Sequence, residues 1–229
     1  RNARSHGGFA RPCAQAGKQS GMITDEDQAK HYVSDLCDAA AMDKLETLTA
    51  ELARENERQN LVARATLETV WQRHIADSAQ LLEWGGEGSS WLDLGSGAGF
   101  PGLVIAVMRP QLSVVLVESR KRRVEWLERM IAELDLQNCR VEGARLESIK
   151  AFPAGTISAR AFAPLDRLLA LSARFSTKDT FWVLPKGRSA SQEVQDLPKN
   201  HGKMFHVEQS LTDQDAGVVV GRGQWSKNQ

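Results

Sequence analysis

Ten residues constrain this chain more than any others. Asp93 to Gly102 read Asp-Leu-Gly-Ser-Gly-Ala-Gly-Phe-Pro-Gly, directly after the start of an apolar run at Trp91. Glycine reaches positive φ without steric cost and lets a backbone approach a ligand closely. A helix opening after such a turn offers unpaired N–H groups at its N-terminus. Pro101 suits that start, because its missing donor would have no intrahelical partner. Strand, glycine turn and helix in this order predict an α/β fold with crossover helices between parallel strands.

The chain after Ser90 keeps that rhythm. Short apolar runs at Trp91–Leu94, Ser113–Glu118, Arg140–Glu142, Thr156–Arg160 and Thr180–Leu184 read as strands, with helices from about Pro101, Lys121, Leu146 and Pro164. Met204–Gln209 and Gly217–Gly221 then follow one another across a short polar loop, which predicts a closing antiparallel hairpin. The expected fold is a doubly wound, mostly parallel sheet ending in that hairpin. Upstream the pattern is helical. Thr24-Asp25-Glu26-Asp27 reads as a helix start with a capping hydroxyl. Leu45, Leu48 and Leu52 continue at helical spacing, and Leu67, Val70, Trp71, Ile75, Leu81 and Leu82 mark a further amphipathic helix. The organisation read from the chain is a tail or non-native upstream segment over 1–21, a helical subdomain over 22–88, and a Rossmann-like domain over 89–229.

Charge and cysteines narrow the function classes. The 229 residues carry 29 basic and 29 acidic side chains, so any polyanion must be met by a local patch. Cys13, Cys37 and Cys139 form no C-x-x-C pair and no zinc spacing, which fits a reducing compartment and gives no metal site. The longest apolar run, Leu103 to Met108, is too short to span a bilayer. The expectation is a cytoplasmic monomer with no membrane and no metal.

Two cofactors compete for the glycine turn. Gly97-x-Gly99-x-x-Gly102 matches the dinucleotide fingerprint. Asp93-x-Gly95-x-Gly97-x-Gly99 fits better, and it resembles the first motif of class I methyltransferases, which bind S-adenosylmethionine. There the strand-end carboxylate lies near the cationic methionine moiety, whereas a pyrophosphate has no use for an acid so close. Glu118, ending the second strand, would meet ribose hydroxyls with either cofactor.

The order of further motifs is more specific. Asn60-Leu61, Arg73-His74-Ile75-Ala76-Asp77-Ser78, the Leu94-to-Gly102 turn, Arg160-Ala161-Phe162-Ala163 and Lys186-Gly187 together resemble the ribosomal small subunit methyltransferase G family. That family is also called glucose-inhibited division protein B, and its members methylate N7 of guanine 527 in 16S rRNA. The resemblance runs from about Asp43 to Gly221 and leaves 22–42 outside. It implies that Gly95 and Phe100 contact the cofactor, that Leu146 and Glu147 meet its adenine end, and that Arg160 completes its site. It places Asn60, His74, Arg145 and Lys186 around the catalytic pocket, and it implies 16S rRNA or the small ribosomal subunit as partner. The chain departs from the family at Gln59 and Val62, at an extra Ala159 between Ser158 and Arg160, and at Pro185 before Lys186.

Each residue also has a plainer reading. His74, beside Val70, Trp71 and Ile75, could be a hydrogen-bonded core histidine. Asp77 follows Arg73 by four residues and reads as its solvated ion-pair partner. Asn60 could bond backbone in a turn. Arg120, Lys121, Arg122 and Arg123 put positive charge at a helix start, against the macrodipole, so part of this cluster reads as an RNA phosphate contact rather than a solvated face. Trp225, beyond the last strand, reads as a stacking surface or a tail. The chemistry is also legible: N7 of guanine carries a lone pair and no proton, so its methylation needs no general base. The alternatives are a methyltransferase of another RNA or of a small molecule, and a non-catalytic RNA-docking protein.

Overall fold

The computed structural model describes residues 21–86, 88, 90–198 and 203–226. The expected tail over 1–21 therefore lies, apart from Gly21, outside the described residues. Seven strands form one sheet: β1 Ser90–Leu94, β2 Ser113–Val117, β3 Cys139–Glu142, β4 Thr156–Ala159, β5 Phe181–Lys186, β6 Phe205–Gln209 and β7 Gly217–Arg222. Their order is β3-β2-β1-β4-β5-β7-β6. The first five are parallel, β7 runs antiparallel to β5, and β6 closes the edge antiparallel to β7. The terminal hairpin is where the sequence put it.

Strand period places alternate side chains on opposite faces. Trp91, Val114 and Leu116 join one buried cluster, while Leu92, Leu94, Val115 and Val117 join another across the sheet. Helices α1 (Glu26–Ser34), α2 (Ala39–Asn56), α4 (Gly102–Met108) and α5 (Lys121–Glu133) contribute to the first cluster, and α6 (Leu165–Ser172) to the second. Ala29, Val33, Leu45, Leu48 and Leu52 of α1 and α2 thus share a core with Leu103 and Trp126.

The upstream helices differ in detail from the periodic reading. Asp25, not Thr24, caps α1, accepting from Gln28 N at 2.8 Å. The stretch expected as one amphipathic helix is a π-helical turn, Trp71–Ala76, running into the short α3 (Asp77–Ala79) and a 3-10 turn, Gln80–Glu83. Glu26 from α1 closes the start of the π turn, its carboxylate accepting from Trp71 N at 2.9 Å and Gln72 N at 2.8 Å.

The helix expected from Leu146 is a correction. Only one 3-10 turn forms, Leu146–Ser148, and Ile149 is already extended. The guanidinium of Arg174 donates to the carbonyls of both Leu146 and Ile149, taking acceptors that a continuing helix would use. Trp225 is also corrected. It is 5% exposed, its backbone N–H donates to Ser176 Oγ at 3.0 Å, and its ring lies against Phe205. Burial of so large an apolar surface outweighs any role as an open stacking platform. No helix among the described residues is long and apolar enough to cross a membrane.

Candidate active site

The strand order reverses between β1 and β4, and in open α/β sheets the crevice beyond the strand C-termini at such a point receives ligands. The glycine turn occupies this position. Gly95, Gly97 and Gly99 have φ of 66°, 56° and 103°. A Cβ on Gly97 would meet only Arg123 Nη1 at 3.2 Å and Gly95 O at 3.6 Å, so this glycine faces an open side of the turn. A Cβ on Gly99 would instead strike Leu103 Cδ1 at 2.3 Å, and one on Gly102 would strike Leu116 Cδ2 at 2.2 Å. Those two bring α4 down onto the sheet.

Asp93 is fully buried beneath the turn. It accepts from Ser158 Oγ at 2.8 Å and from Gly102 N at 3.2 Å, and Ser158 Oγ in turn accepts from the Trp91 indole at 2.8 Å. Burial pushes its carboxyl up to about 6, against the hydrogen bonds from Ser158 and Gly102 and the charge of Arg160. An acid held this way is poised to respond to a nearby cation. Glu118, at the end of β2, ties the turn to the start of α5: it accepts from Gly97 N at 3.1 Å, Ser119 N at 2.7 Å and Arg120 N at 2.9 Å.

A cavity of about 710 Å³ adjoins the turn beyond the ends of β4 and β5, lined among others by Thr66, Arg73, His74, Asp77, Arg160, Phe162, Lys186, Glu193 and Asp213. Two of these lining residues, His74 and Arg160, rest on the buried ring of Phe100. His74 lies over Phe100 with centroids 5.0 Å apart and planes inclined by 15°, and the Arg160 guanidinium sits 5.3 Å from the same Phe100 ring. His74 Nδ1 is 3.2 Å from Arg160 Nη1, and its Nε2 is 2.8 Å from Thr66 Oγ1. Arginine only donates, so Nδ1 accepts and Nε2 carries the proton. Thr66 can receive it because its own hydroxyl donates to Ala63 O at 2.7 Å. Burial, with Arg160 and Arg73 nearby, pushes the imidazole down to about 3. His74 is buried and also lines the cavity.

The expected Arg73–Asp77 ion pair is overturned. Arg73 Nη1 pairs with Asp213 at 2.8 Å, while Asp77 Oδ2 faces Arg160 Nη1 at 3.7 Å. A π turn bonds i to i+5 and takes up more residues per turn, so positions four apart no longer stack. Lys186 Nζ donates to Ala163 O and Glu193, each at 2.9 Å. Burial raises Glu193, but the bonds from Lys186, Ser189 and Leu165 N outweigh it and hold the carboxyl below its usual range.

Other expected residues lie apart from this cavity's lining. Asn60 is exposed, and the turn-bonding role falls to Asn56, whose Oδ1 accepts from Leu61 N at 2.9 Å and Val62 N at 3.0 Å. Arg145 and Glu147 are exposed and flank buried Leu146 after β3. Of the basic cluster, Arg120 stands at the N-cap position of α5 without a side-chain capping bond and is exposed with Lys121 and Arg122, while Arg123 reaches toward Gly97. Arg122 donates to Arg58 O at 2.9 Å, and Gln59, at the family departure, donates to Arg122 O at 3.2 Å. These bonds tie the loop after α2 to the head of α5.

The two other departures are accommodated. Ser158 pairs in register with Asp93, so Ala159 simply completes β4 before Arg160, and the chain then turns at Ala161 with φ 51°. Pro185 falls past the last β4–β5 pair, Ser158–Val183, so its missing N–H interrupts no bond to β4. Sequence reasoning missed Thr66, Asp213, Glu193 and Ser158 as members of the site. Ser158 alone left a signal, as a hydroxyl in a strand that must lie near the glycine turn.

The model of rRNA small subunit methyltransferase G matches residues 41–217. Ribosomal RNA small subunit methyltransferase G of Erythrobacter litoralis is 61% identical over 203 residues, covering 88% of this chain and 98% of that relative. The protein of the same name from Novosphingobium aromaticivorans is 58% identical over 189 residues, 81% of this chain and 82% of that one. A solved mutant of MtNAS in complex with S-adenosylmethionine superposes with a TM-score of 0.51 at 16% identity, over 87% of this chain and 84% of that chain. The fibrillarin/Nop5p complex gives 0.51 at 14%, over 67% and 82%. At such identities the likeness is one of fold, and it is the class I methyltransferase fold.

Proposed function

Because the chain belongs to the rRNA small subunit methyltransferase G family, we propose that it methylates N7 of guanine 527 in 16S rRNA, with S-adenosylmethionine as the methyl donor. The turn fits that cofactor. It has an open side at Gly97, a fully buried carboxylate at Asp93 and a second carboxylate at Glu118, one strand over. Gly95, Gly97, Phe100, Asp93 and Glu118 would hold the methionine and ribose portions, and Leu146 and Glu147 the adenine. When bound there, the cofactor supplies an electrophilic methyl group on a cationic sulfur.

The observation that carries the reaction type is the state of His74. Among the described residues it is the one imidazole in the cavity lining, and both its nitrogens are engaged, one accepting from Arg160 and one donating to Thr66. It has no lone pair left to take a substrate proton. Guanine N7 has no proton to lose, so its attack on the methyl group does not need the imidazole as a base, and rate enhancement would come from positioning. His74 and Arg160, resting on Phe100, would form a flat, rigid floor for the base. An arginine bidentate to O6 and N7 would block the nucleophile, so Arg145 and Lys186 are assigned to phosphate, ribose or O6. An unpaired or extruded guanine would be required.

Nucleotide-resolution mapping of 7-methylguanosine in 16S rRNA, from cells with and without this protein, tests the reading. Loss of the modification at position 527 alone supports it, and an unchanged map overturns it.

A further inference from the structure

Three carboxylates line the cavity, and their existing bonds separate them. Glu193 uses Oε1 for Ser189 Oγ at 2.7 Å and Oε2 for Lys186 Nζ at 2.9 Å and Leu165 N at 2.8 Å. Asp213 uses Oδ1 for Asp215 N at 3.0 Å and Oδ2 for Arg73 at 2.8 Å. Asp77 differs. Its Oδ1 is clamped by Thr212 Oγ1 at 2.7 Å and Gln80 Nε2 at 2.9 Å, but among the described residues its Oδ2 meets Arg160 Nη1 alone, at 3.7 Å, beyond good hydrogen-bond length. A carboxylate oxygen accepts two hydrogen bonds with ease. Asp77 thus presents a strong acceptor to the cavity, held in place by its other oxygen.

We propose that Asp77 is a specificity-determining residue that reads the Watson–Crick edge of the target guanine through Oδ2. This rests on the guanine-N7 reading above. Guanine presents two adjacent donors on that edge, N1–H and the 2-amino group, whereas adenine presents an acceptor at its N1. An extruded base exposes this edge to the pocket wall. A carboxylate reads it without touching N7, so recognition and nucleophile stay on opposite sides of the purine. The acid also compensates the positive charge that the purine gains on methylation. Gln80 is fully buried and bonds Asp77, Ser210 Oγ and Leu211 N, so the acid's position is fixed by the loop between β6 and β7.

The test is single-turnover methylation of an RNA substrate carrying guanine, inosine or 1-methylguanine at the target, with wild type, Asp77→Asn and Asp77→Glu. Inosine lacks the 2-amino group and 1-methylguanine lacks N1–H. Wild type should favour guanine over at least one analogue by tenfold or more. In Asp77→Asn that preference should shrink at least fivefold, because the neutral amide is a weaker acceptor. Asp77→Glu, which keeps the charge, should retain more of it. Equal penalties for both analogues in wild type and Asp77→Asn would overturn the assignment, as would a uniform loss of rate on all three substrates. Nucleoside analysis of the guanine product separates the two levels: a product other than 7-methylguanosine overturns the reaction reading itself.

Discussion

Asp93 and Ser158 are paired in register on neighbouring parallel strands, and the serine hydroxyl donates to the carboxylate at 2.8 Å. The bond lies under the glycine turn, on the side of the sheet where α4 packs. It fixes a fully buried acid beside the place where a cationic cofactor would bind, and it carries a pH dependence with a definite sign.

Burial pushes Asp93 up to about 6, above the carboxylate of an unfolded chain near pH 3.9. Between these values the folded state holds a proton that the unfolded state has lost, so stability falls as pH rises through this window and levels off above it. Asp93→Asn removes the linkage. We expect its stability relative to wild type, from urea unfolding, to improve by about 2 kcal/mol between pH 4.5 and pH 7. An unchanged difference would show that the acid is ionised throughout.

The same group should govern cofactor affinity. A cationic ligand favours ionised Asp93, so S-adenosylmethionine affinity should weaken roughly tenfold as pH falls from 7 to 5. Calorimetry at the two pH values checks this, with Asp93→Asn expected to bind weakly at both. Tight nicotinamide dinucleotide binding in the same assay would discard the cofactor assignment.

Gly97→Val should cost cofactor affinity about a hundredfold or more while the protein stays folded. The φ of 56° disfavours a β-branched residue, and the added methyls would enter the open side of the turn. Calorimetry with circular dichroism separates lost binding from lost fold.

Arg120 and Arg123 changed together to Ala should weaken RNA binding and reduce the slope of log K against log salt by about 1.4–1.8, because two fewer counterions are released. A filter-binding series in potassium chloride measures the slope. No change would make the head of α5 an ordinary solvated face.

His74→Ala should slow single-turnover methylation, by up to about a hundredfold, through loss of the stack with Phe100 and of the Arg160 anchor. The imidazole is pushed down to about 3 and is neutral across the physiological range. At saturating cofactor the pH profile should therefore have the same shape in both enzymes. A neutral pKa present in wild type and absent in the variant would mean a base at work and a target atom that bears a proton.

The amino-acid sequence by itself determined the βαβ rhythm, the turn from Asp93 to Gly102, the closing hairpin and the family motifs, because all of these are local: strand period, glycine φ and short-range spacing. It also named His74, Arg160, Lys186 and Phe100 as residues of interest. Only the tertiary structure decided their partners. Glu193 caps α6 and holds Lys186, Asp213 reaches Arg73 across 140 positions, and Thr212 clamps Asp77 across 135. Nothing periodic announces a contact between residues so far apart. Local rules misled where tertiary bonds outbid them: at Leu146, whose carbonyl Arg174 takes, at Trp225, drawn into the core beside Phe205, and at Asp77, turned from Arg73 by the π turn. Propensity and spacing are worth tenths of a kcal/mol per contact, whereas buried hydrogen bonds and aromatic burial are each worth about 1 kcal/mol or more, so the site's wiring belongs to the fold.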